Sequence, residues 1–287
     1  MAFAVFADGS ANLSGNMLKG IHLLPCTYTL DGELETYEGD ADRFDAHAYY
    51  EKLRSGKIVQ TSLLNTQLFL SSFAPILKQG LDVIYIAMSS GISGTYNAAM
   101  NAAQELMEKF SGRIVHIVDS LGCGFGNGML ALRAERLQEE GVDTQEASRI
   151  LDGEVQHMCQ YFTVDDLDYL KRTGRVNGVT AKIATVLNIK PILFGNAEGQ
   201  IVSCEKVRGR RKAIEALAAK YRQKRMKAKH PEVFISHGDC LQDAELLASM
   251  VKEITPEAEV TVSMHEPFSG GHVGPGMLGL FFHGTER

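Results

Sequence analysis

No apolar run in this sequence reaches the roughly 18 residues that a bilayer-crossing helix needs. The opening stretch MAFAVFADGS lacks the basic start of a secretory signal, and Asp8 ends its apolar run. These absences lead to the expectation of a soluble cytoplasmic protein. Cysteine is sparse and scattered: Cys26, Cys123, Cys159, Cys204 and Cys240 are odd in number, with no C-x-x-C spacing and no histidine at finger-like spacing. That pattern describes buried free thiols in a reducing compartment better than a disulfide framework or a zinc site. No G-K-[ST] tripeptide occurs, so a P-loop is excluded, and there are no internal repeats or low-complexity segments.

What is present fits a folded chain. The 287 residues are 45% hydrophobic, enough to fill the core of two domains or of one large one. A net charge of −6 conceals an asymmetry, because residues 206–229 hold eleven basic side chains against the single acid Glu215. Such a segment fits docking to an acidic partner or anionic lipid, and equally a solvated helix face. Nucleic acid is disfavoured, since Tyr221 is the only aromatic among those charges and no nucleic-acid motif accompanies them.

Short apolar runs alternate with helical patterns. FAVFAD (3–8), DVIYIAMSS (82–90) and RIVHIVDS (113–120) read as buried parallel strands, with helices over 44–54 and 66–79 between them. The second half reads as helical VTAKIATVLN, strands KPILFG and QIVSCEKVRG, a basic helix near 211–229, strand VFISHG, and helix CLQDAELLASMVKEI. EVTVSMHEPF and SGGHVGPGMLGLFFHG follow. The expected class is α/β in two domains, residues 1–155 and 156–287.

Four segments bear on chemistry. SSGISGT (89–95) joins a strand to a helix, a place where helix-start N–H groups and short hydroxyls converge on one point, suited to an anionic head group. Its plainer role is a helix cap by Ser90, Ser93 or Thr95. Gly91-Ile92-Ser93-Gly94-Thr95 misses the G-x-S-x-G spacing of a hydrolase elbow by one place. The glycines of LGCGFGNGM (121–129) match the dinucleotide fingerprint in no register and read as close helix packing. Asp165, Asp166 and Asp168 suggest a metal, but acids opening a helical turn that ends in Lys171 and Arg172 are also what the helix dipole favours. In GGHVGPGMLGLFF (270–282) the glycines permit a close backbone approach beside His272.

The order of ADGSANL, VQTS (59–62), SSGISGTYNAA (89–99), VDS (118–120), DDLDYLKRTGRV (165–176), LNIKPIL (187–193), KVRGRRKAI (206–214) and HVGPGMLGLFF (272–282) resembles the DegV family over essentially the whole chain. These are bacterial fatty-acid-binding proteins that include the binding subunits of the fatty acid kinase system. The resemblance implies two α/β domains with one long-chain fatty acid in a tunnel between them. It assigns the carboxylate to Thr61, Ser93 and the adjoining Gly94, with His272 near the head group, and it implies no catalytic residue, metal or cofactor. It further implies a carrier that presents its lipid to a separate ATP-dependent kinase for acyl phosphate formation and meets the membrane transiently. Arg208, Arg210 and Arg211 of the basic segment, with Arg172, are the candidate docking residues for such a partner.

Buried methylenes worth up to ~0.8 kcal/mol each would supply most of the affinity, while the hydroxyls fix direction. This chain departs from the family's habit in two places: Leu63, Leu64 and Asn65 follow Thr61-Ser62 where Gln, Pro and Ser are common, and the first strand ends Asp8-Gly9 where Asp-Ser is usual. The competing class is a small-molecule hydrolase or phosphotransferase using Ser93 with His272 as base.

Overall fold

The computed structural model describes residues 2–176 and 188–287. All but the last residue of the expected helix VTAKIATVLN lies outside the described residues. The chain divides into two compact units, the first made of residues 1–44 and 60–155, the second of 45–59 and 156–287. Residues 45–59, assigned by the sequence reading to the first domain, therefore belong with the second unit. The chain passes from one unit to the other after Phe44, Val59 and Val155.

The first unit is built on a four-stranded parallel sheet in the order β2-β1-β6-β7, with β1 Phe3–Asp8, β2 Ile21–Leu24, β6 Asp82–Ala87 and β7 Val115–Asp119. Every residue of β1 and β6 is buried, as expected of runs covered on both faces. Helices α2 (Thr66–Lys78), α3 (Thr95–Lys109), α4 (Phe125–Glu139) and α5 (Thr144–Glu154) complete it. Phe69 and Phe73 of α2 pack against Tyr85 of β6, with ring centroids 5.0 and 6.0 Å apart. Gly128 lets α4 run close against the backbone carbonyl of Ala11, the packing role expected of that glycine cluster.

A second, three-stranded sheet, β4-β3-β5, joins β3 (Cys26–Leu30), β4 (Glu33–Tyr37) and β5 (Val59–Thr61). Strands β3 and β4 form an antiparallel hairpin through Asp31-Gly32, both at positive φ (51° and 87°), the geometry a tight two-residue turn requires.

The second unit holds a six-stranded sheet in the order β10-β9-β8-β13-β11-β12. Its strands are β8 Met158–Thr163, β9 Ile189–Gly195, β10 Ile201–Arg208, β11 Glu232–His237, β12 Glu259–Met264 and β13 Leu278–His283, antiparallel except for the β11–β12 pair. The unit's helices are α1 (Ala46–Arg54), α6 (Asp168–Arg172), α7 (Arg210–Lys224), α8 (Leu241–Ile254) and α9 (Pro267–Val273). Helix α7 buries Ile214, Leu217 and Tyr221 against the sheet and α8. It stops at Lys224 rather than near 229, because Arg225 turns extended (ψ 137°) to bridge Gly284 and Met226 N–H donates to the His283 carbonyl at 2.9 Å. No described helix is long and apolar enough to cross a membrane.

Helix α1 joins this unit through its tyrosines. Tyr49 O–H donates to the Pro267 carbonyl at 2.7 Å and Tyr50 O–H to the His265 carbonyl at 3.0 Å, both rings being buried. Arg54 pairs with Asp239, and Tyr169 O–H reaches the Leu53 carbonyl at 3.1 Å. The close approach foreseen for the 270–271 glycines is to this helix and to the strand that follows it: a Cβ on Gly270 would lie 2.6 Å from the Tyr50 hydroxyl, and one on Gly271 2.5 Å from Val59 of β5 and 2.9 Å from the Tyr49 hydroxyl.

Beneath that contact lies a buried polar chain. The Glu266 carboxylate caps α9, accepting from the N–H groups of Phe268 (2.5 Å) and Ser269 (3.0 Å) and from the Ser269 hydroxyl. With its proton given to Glu266, Ser269 Oγ accepts from His265 Nε2–H at 2.8 Å, which leaves His265 Nδ1 to accept from the Ser236 hydroxyl at 3.0 Å. Burial holds His265 neutral, with its pKa pushed down to about 3.

Candidate ligand-binding site

In the first unit the sheet order reverses about β1, whose next strand in sequence, β2, lies on one side while β6 lies on the other. The crevice at the carboxyl ends of β1 and β6 is thus a topological switch point, the usual ligand position in an open α/β sheet. The loop 89–95 starts there and runs into α3.

Local chemistry holds this loop. Asp119, ending β7, accepts from Ser90 N–H at 3.0 Å and Leu121 N–H at 3.2 Å, and Ser89 N–H donates to the Gly122 carbonyl at 2.9 Å. Ser93 N–H donates to the Ser89 carbonyl at 3.1 Å. Ser93 Oγ accepts from Thr95 N–H at 3.2 Å and donates to Thr95 Oγ1 at 3.0 Å, so the serine does cap the helix start. Thr95 Oγ1 also accepts from Leu64 N–H at 3.3 Å, and Thr66 O–H reaches the Ala98 carbonyl at 3.2 Å. The first bond ties the loop after β5, a strand that ends at Thr61, to the first residue of α3, and the second ties the start of α2 to α3.

Thr61, at the end of β5, and Ser93, in the loop before α3, are both half-buried and belong to one unit. Gly94 is the N-cap of α3 and supplies no side-chain cap, leaving the helix-start N–H groups to other acceptors. A Cβ at Gly94 would stand 3.3 Å from Leu63, one of the residues by which this chain departs from the family pattern, and Leu63 is 52% exposed. Behind the site, the buried Asp8 carboxylate accepts from Ser10 N–H at 2.9 Å and from the hydroxyls of Ser10 and Tyr85. Desolvation nevertheless raises its pKa.

His272 belongs to the second unit, on α9, half-buried. Burial, aided by the charge of Arg175, pushes its pKa down to about 4, so at neutral pH it offers a neutral N–H rather than a cation. The three aspartates of the 165–168 stretch serve separate structural bonds: Asp165 pairs with Lys190 at 2.6 Å, Asp166 accepts from Asp168 N–H at 2.8 Å, and Asp168 pairs with Lys171 at 3.0 Å. Among the described residues no cluster of histidines, cysteines and acids could hold a metal ion. Burial pushes the Cys159 and Cys240 thiols up to about 12, far from nucleophilic use.

The docking residues divide. Arg172, Arg208 and Arg211 are exposed, Arg172 stacked over the Tyr169 ring at 4.9 Å and Arg211 paired with Glu215 at 2.9 Å. Arg210 instead turns inward, bonding Asp243 at 2.7 Å and lying 3.6 Å from Asp165. Sequence reasoning missed the tether through Thr95 and Leu64. Its signal was the hydroxyl pair Ser93-x-Thr95 at a helix start, which was weighed as cap or ligand site but not as a link to the Thr61 loop.

The first unit is thus an open α/β sheet with a hydroxyl-bearing loop at its switch point, the place where ligands usually bind in folds of this class. The family model described as "Uncharacterised protein, DegV family" matches residues 2–285, and the chain belongs to the DegV family. It is 34% identical to a DegV domain-containing protein of Clostridium perfringens, over 99% of this chain and 98% of the relative. Among solved structures, the fold is similar to a fatty-acid-binding DegV family protein from Thermus thermophilus (TM-score 0.86, 26% identity, covering 99% of this chain and 100% of that one). It is also similar to DegV from Bacillus subtilis, a fatty acid binding protein (TM-score 0.83, 27% identity, 99% and 100%).

Proposed function

We propose that this protein binds one long-chain fatty acid, with the carboxylate received by Thr61, Ser93 and the α3 start at Gly94, and presents it to a separate ATP-dependent fatty acid kinase. The observation that carries this reading is the tethered pair of hydroxyl loops at the switch point of a DegV-family chain whose relatives bind fatty acids. His272 enters the proposal as a further neutral donor to the head group, on the strength of its matching family position. The hydrolase alternative is less well supported: the Ser93 hydroxyl is engaged with Thr95, and a histidine with a pKa near 4 is a weak base.

An organic extract of natively purified protein, examined by mass spectrometry, is expected to contain up to one equivalent of long-chain fatty acid. Replacing Thr61 or Ser93 by Ala should then weaken binding by roughly 1–3 kcal/mol, the worth of a hydrogen bond to a charged group. Absence of lipid together with no uptake of added fatty acid would refute the proposal. Unchanged affinity in both variants would place the head group elsewhere.

In the kinase assay, the lipid-loaded chain alone should yield no acyl hydroxamate, and product should appear when kinase is added. Reversing Arg208, Arg211 and Lys212 together should slow that reaction and flatten its salt dependence while leaving fatty acid affinity unchanged. Arg210 is left out of this test because its charge is spent on Asp243 and Asp165. Equal rates and salt slopes for both proteins would assign those cations to solvation alone.

A further inference from the structure

We infer that Thr95 is a positioning residue for the head-group site, setting the direction of the Ser93 hydroxyl so that its proton is aimed at a bound anion. The inference rests on the fatty-acid reading and concerns the same loop, but it assigns a role to a side chain that is itself 1% exposed.

Ser93 Oγ and Thr95 Oγ1 lie 3.0 Å apart, and a bond donated by Ser93 to Thr95 consumes the one proton Ser93 could offer a ligand. Each hydroxyl has one proton and two acceptor sites, so the same oxygen pair supports the bond in either direction without moving a heavy atom. In the reversed direction Thr95 O–H donates to Ser93 Oγ, which already accepts Thr95 N–H at 3.2 Å. Both acceptor sites of Ser93 are then filled, and its own proton must point out of the pair.

Thr95 Oγ1 meanwhile keeps the Leu64 N–H bond at 3.3 Å. The result is a head-to-tail chain from Leu64 N–H through Thr95 O–H and Ser93 O–H to the anion, each link polarising the next. It starts from the backbone of the loop that follows Thr61, and it ends at the start of α3, where the helix dipole favours negative charge. A neutral ligand oxygen gains less from such a chain, because charge-assisted bonds are roughly twice as strong as neutral ones. The device therefore selects a carboxylate over an alcohol of the same chain length.

The test compares hexadecanoate with 1-hexadecanol on wild type, Thr95→Val, Thr95→Ser and Thr95→Val in a Ser93→Ala background. Thr95→Val keeps the branched shape and removes the hydroxyl. It should weaken hexadecanoate roughly tenfold and hexadecanol less than about twofold. Thr95→Ser should restore hexadecanoate binding to near wild type, and Thr95→Val should add no loss once Ser93 is Ala. Thermal unfolding reports whether each variant folds, and Thr95→Ala takes the place of Thr95→Val if that variant does not. Equal losses for acid and alcohol, or a full further loss in the Ser93→Ala background, would reduce Thr95 to a structural cap and overturn the inference. Wild-type protein that binds neither ligand would instead sink the fatty-acid reading, and the inference with it.

Discussion

Acidification from pH 7 to pH 4.5 is expected to remove roughly 4–5 kcal/mol of folding stability through two histidines. Both are held neutral mainly by burial, His265 with a pKa near 3 and His272 with one near 4, against about 6.5 in the unfolded chain. Between those values the unfolded state binds more protons, so stability rises with pH across that window and is lost as pH falls from 6.5. Each histidine accounts for roughly 2–3 kcal/mol of that loss by pH 4.5.

Two other groups act in the opposite sense. Asp239 raises the pKa of exposed His47, so that ion pair contributes most below pH 6.5. Asp8, its pKa raised by desolvation, loses its contribution as pH climbs above the ordinary carboxylate value. A difference measurement isolates the histidine contribution: urea unfolding at a series of pH values, on wild type and His272→Asn. Between pH 6.5 and 4.5 the wild-type slope should exceed the variant's by up to about one proton's worth. Parallel profiles would mean that His272 titrates normally in the folded protein.

Replacing Tyr50 by Ala is expected to destabilise the protein by about 3–5 kcal/mol, the usual cost of emptying a fully buried aromatic site. Tyr50→Phe removes only the hydroxyl and leaves the His265 carbonyl short of a donor, for about 1–2 kcal/mol. Gly270→Ala places a methyl 2.6 Å from that same hydroxyl, an overpacking worth about 1–3 kcal/mol. Because the clash is with the oxygen, the double variant Gly270→Ala with Tyr50→Phe should be more stable than the sum of the single losses predicts. Strict additivity in chemical denaturation would show that α1 and α9 are not in this contact in solution.

The two tyrosines also mark how far sequence reasoning reached. Strands β1, β6 and β7 were legible because short apolar runs bounded by polar residues and alternating with helical patterns leave few alternatives. The hairpin of β3 and β4 went unread although Cys26–Leu30 alternates buried and half-buried residues and Asp31-Gly32 is a strong turn signal. Helix α1 was visible as a helix over 44–54. Its membership of the second unit was not, since its partners Pro267 and His265 follow more than 200 residues later (218 and 215) and no local pattern encodes them.

At the candidate site, Ser93 and Thr95 were seen as competing caps, and the structure shows why the two readings were hard to separate: the cap and the hydroxyl chain use the same atoms. Arg210 looked like its neighbours Arg208 and Arg211. Only the positions of Asp243 and Asp165 distinguish it.

The early placement of α1 has a consequence for synthesis. Residues 60–155 complete the first unit while Tyr49 and Tyr50, already made, have nothing to bury them. Tyr50 and His265 are 215 positions apart. At about 5–20 residues per second the ribosome needs roughly 10–40 s to bridge that interval. Once residue 155 has been made, the nascent chain holds a complete first unit while residues 45–59 still lack their partners, a natural target for chaperones and for misassociation until residues 265–267 emerge.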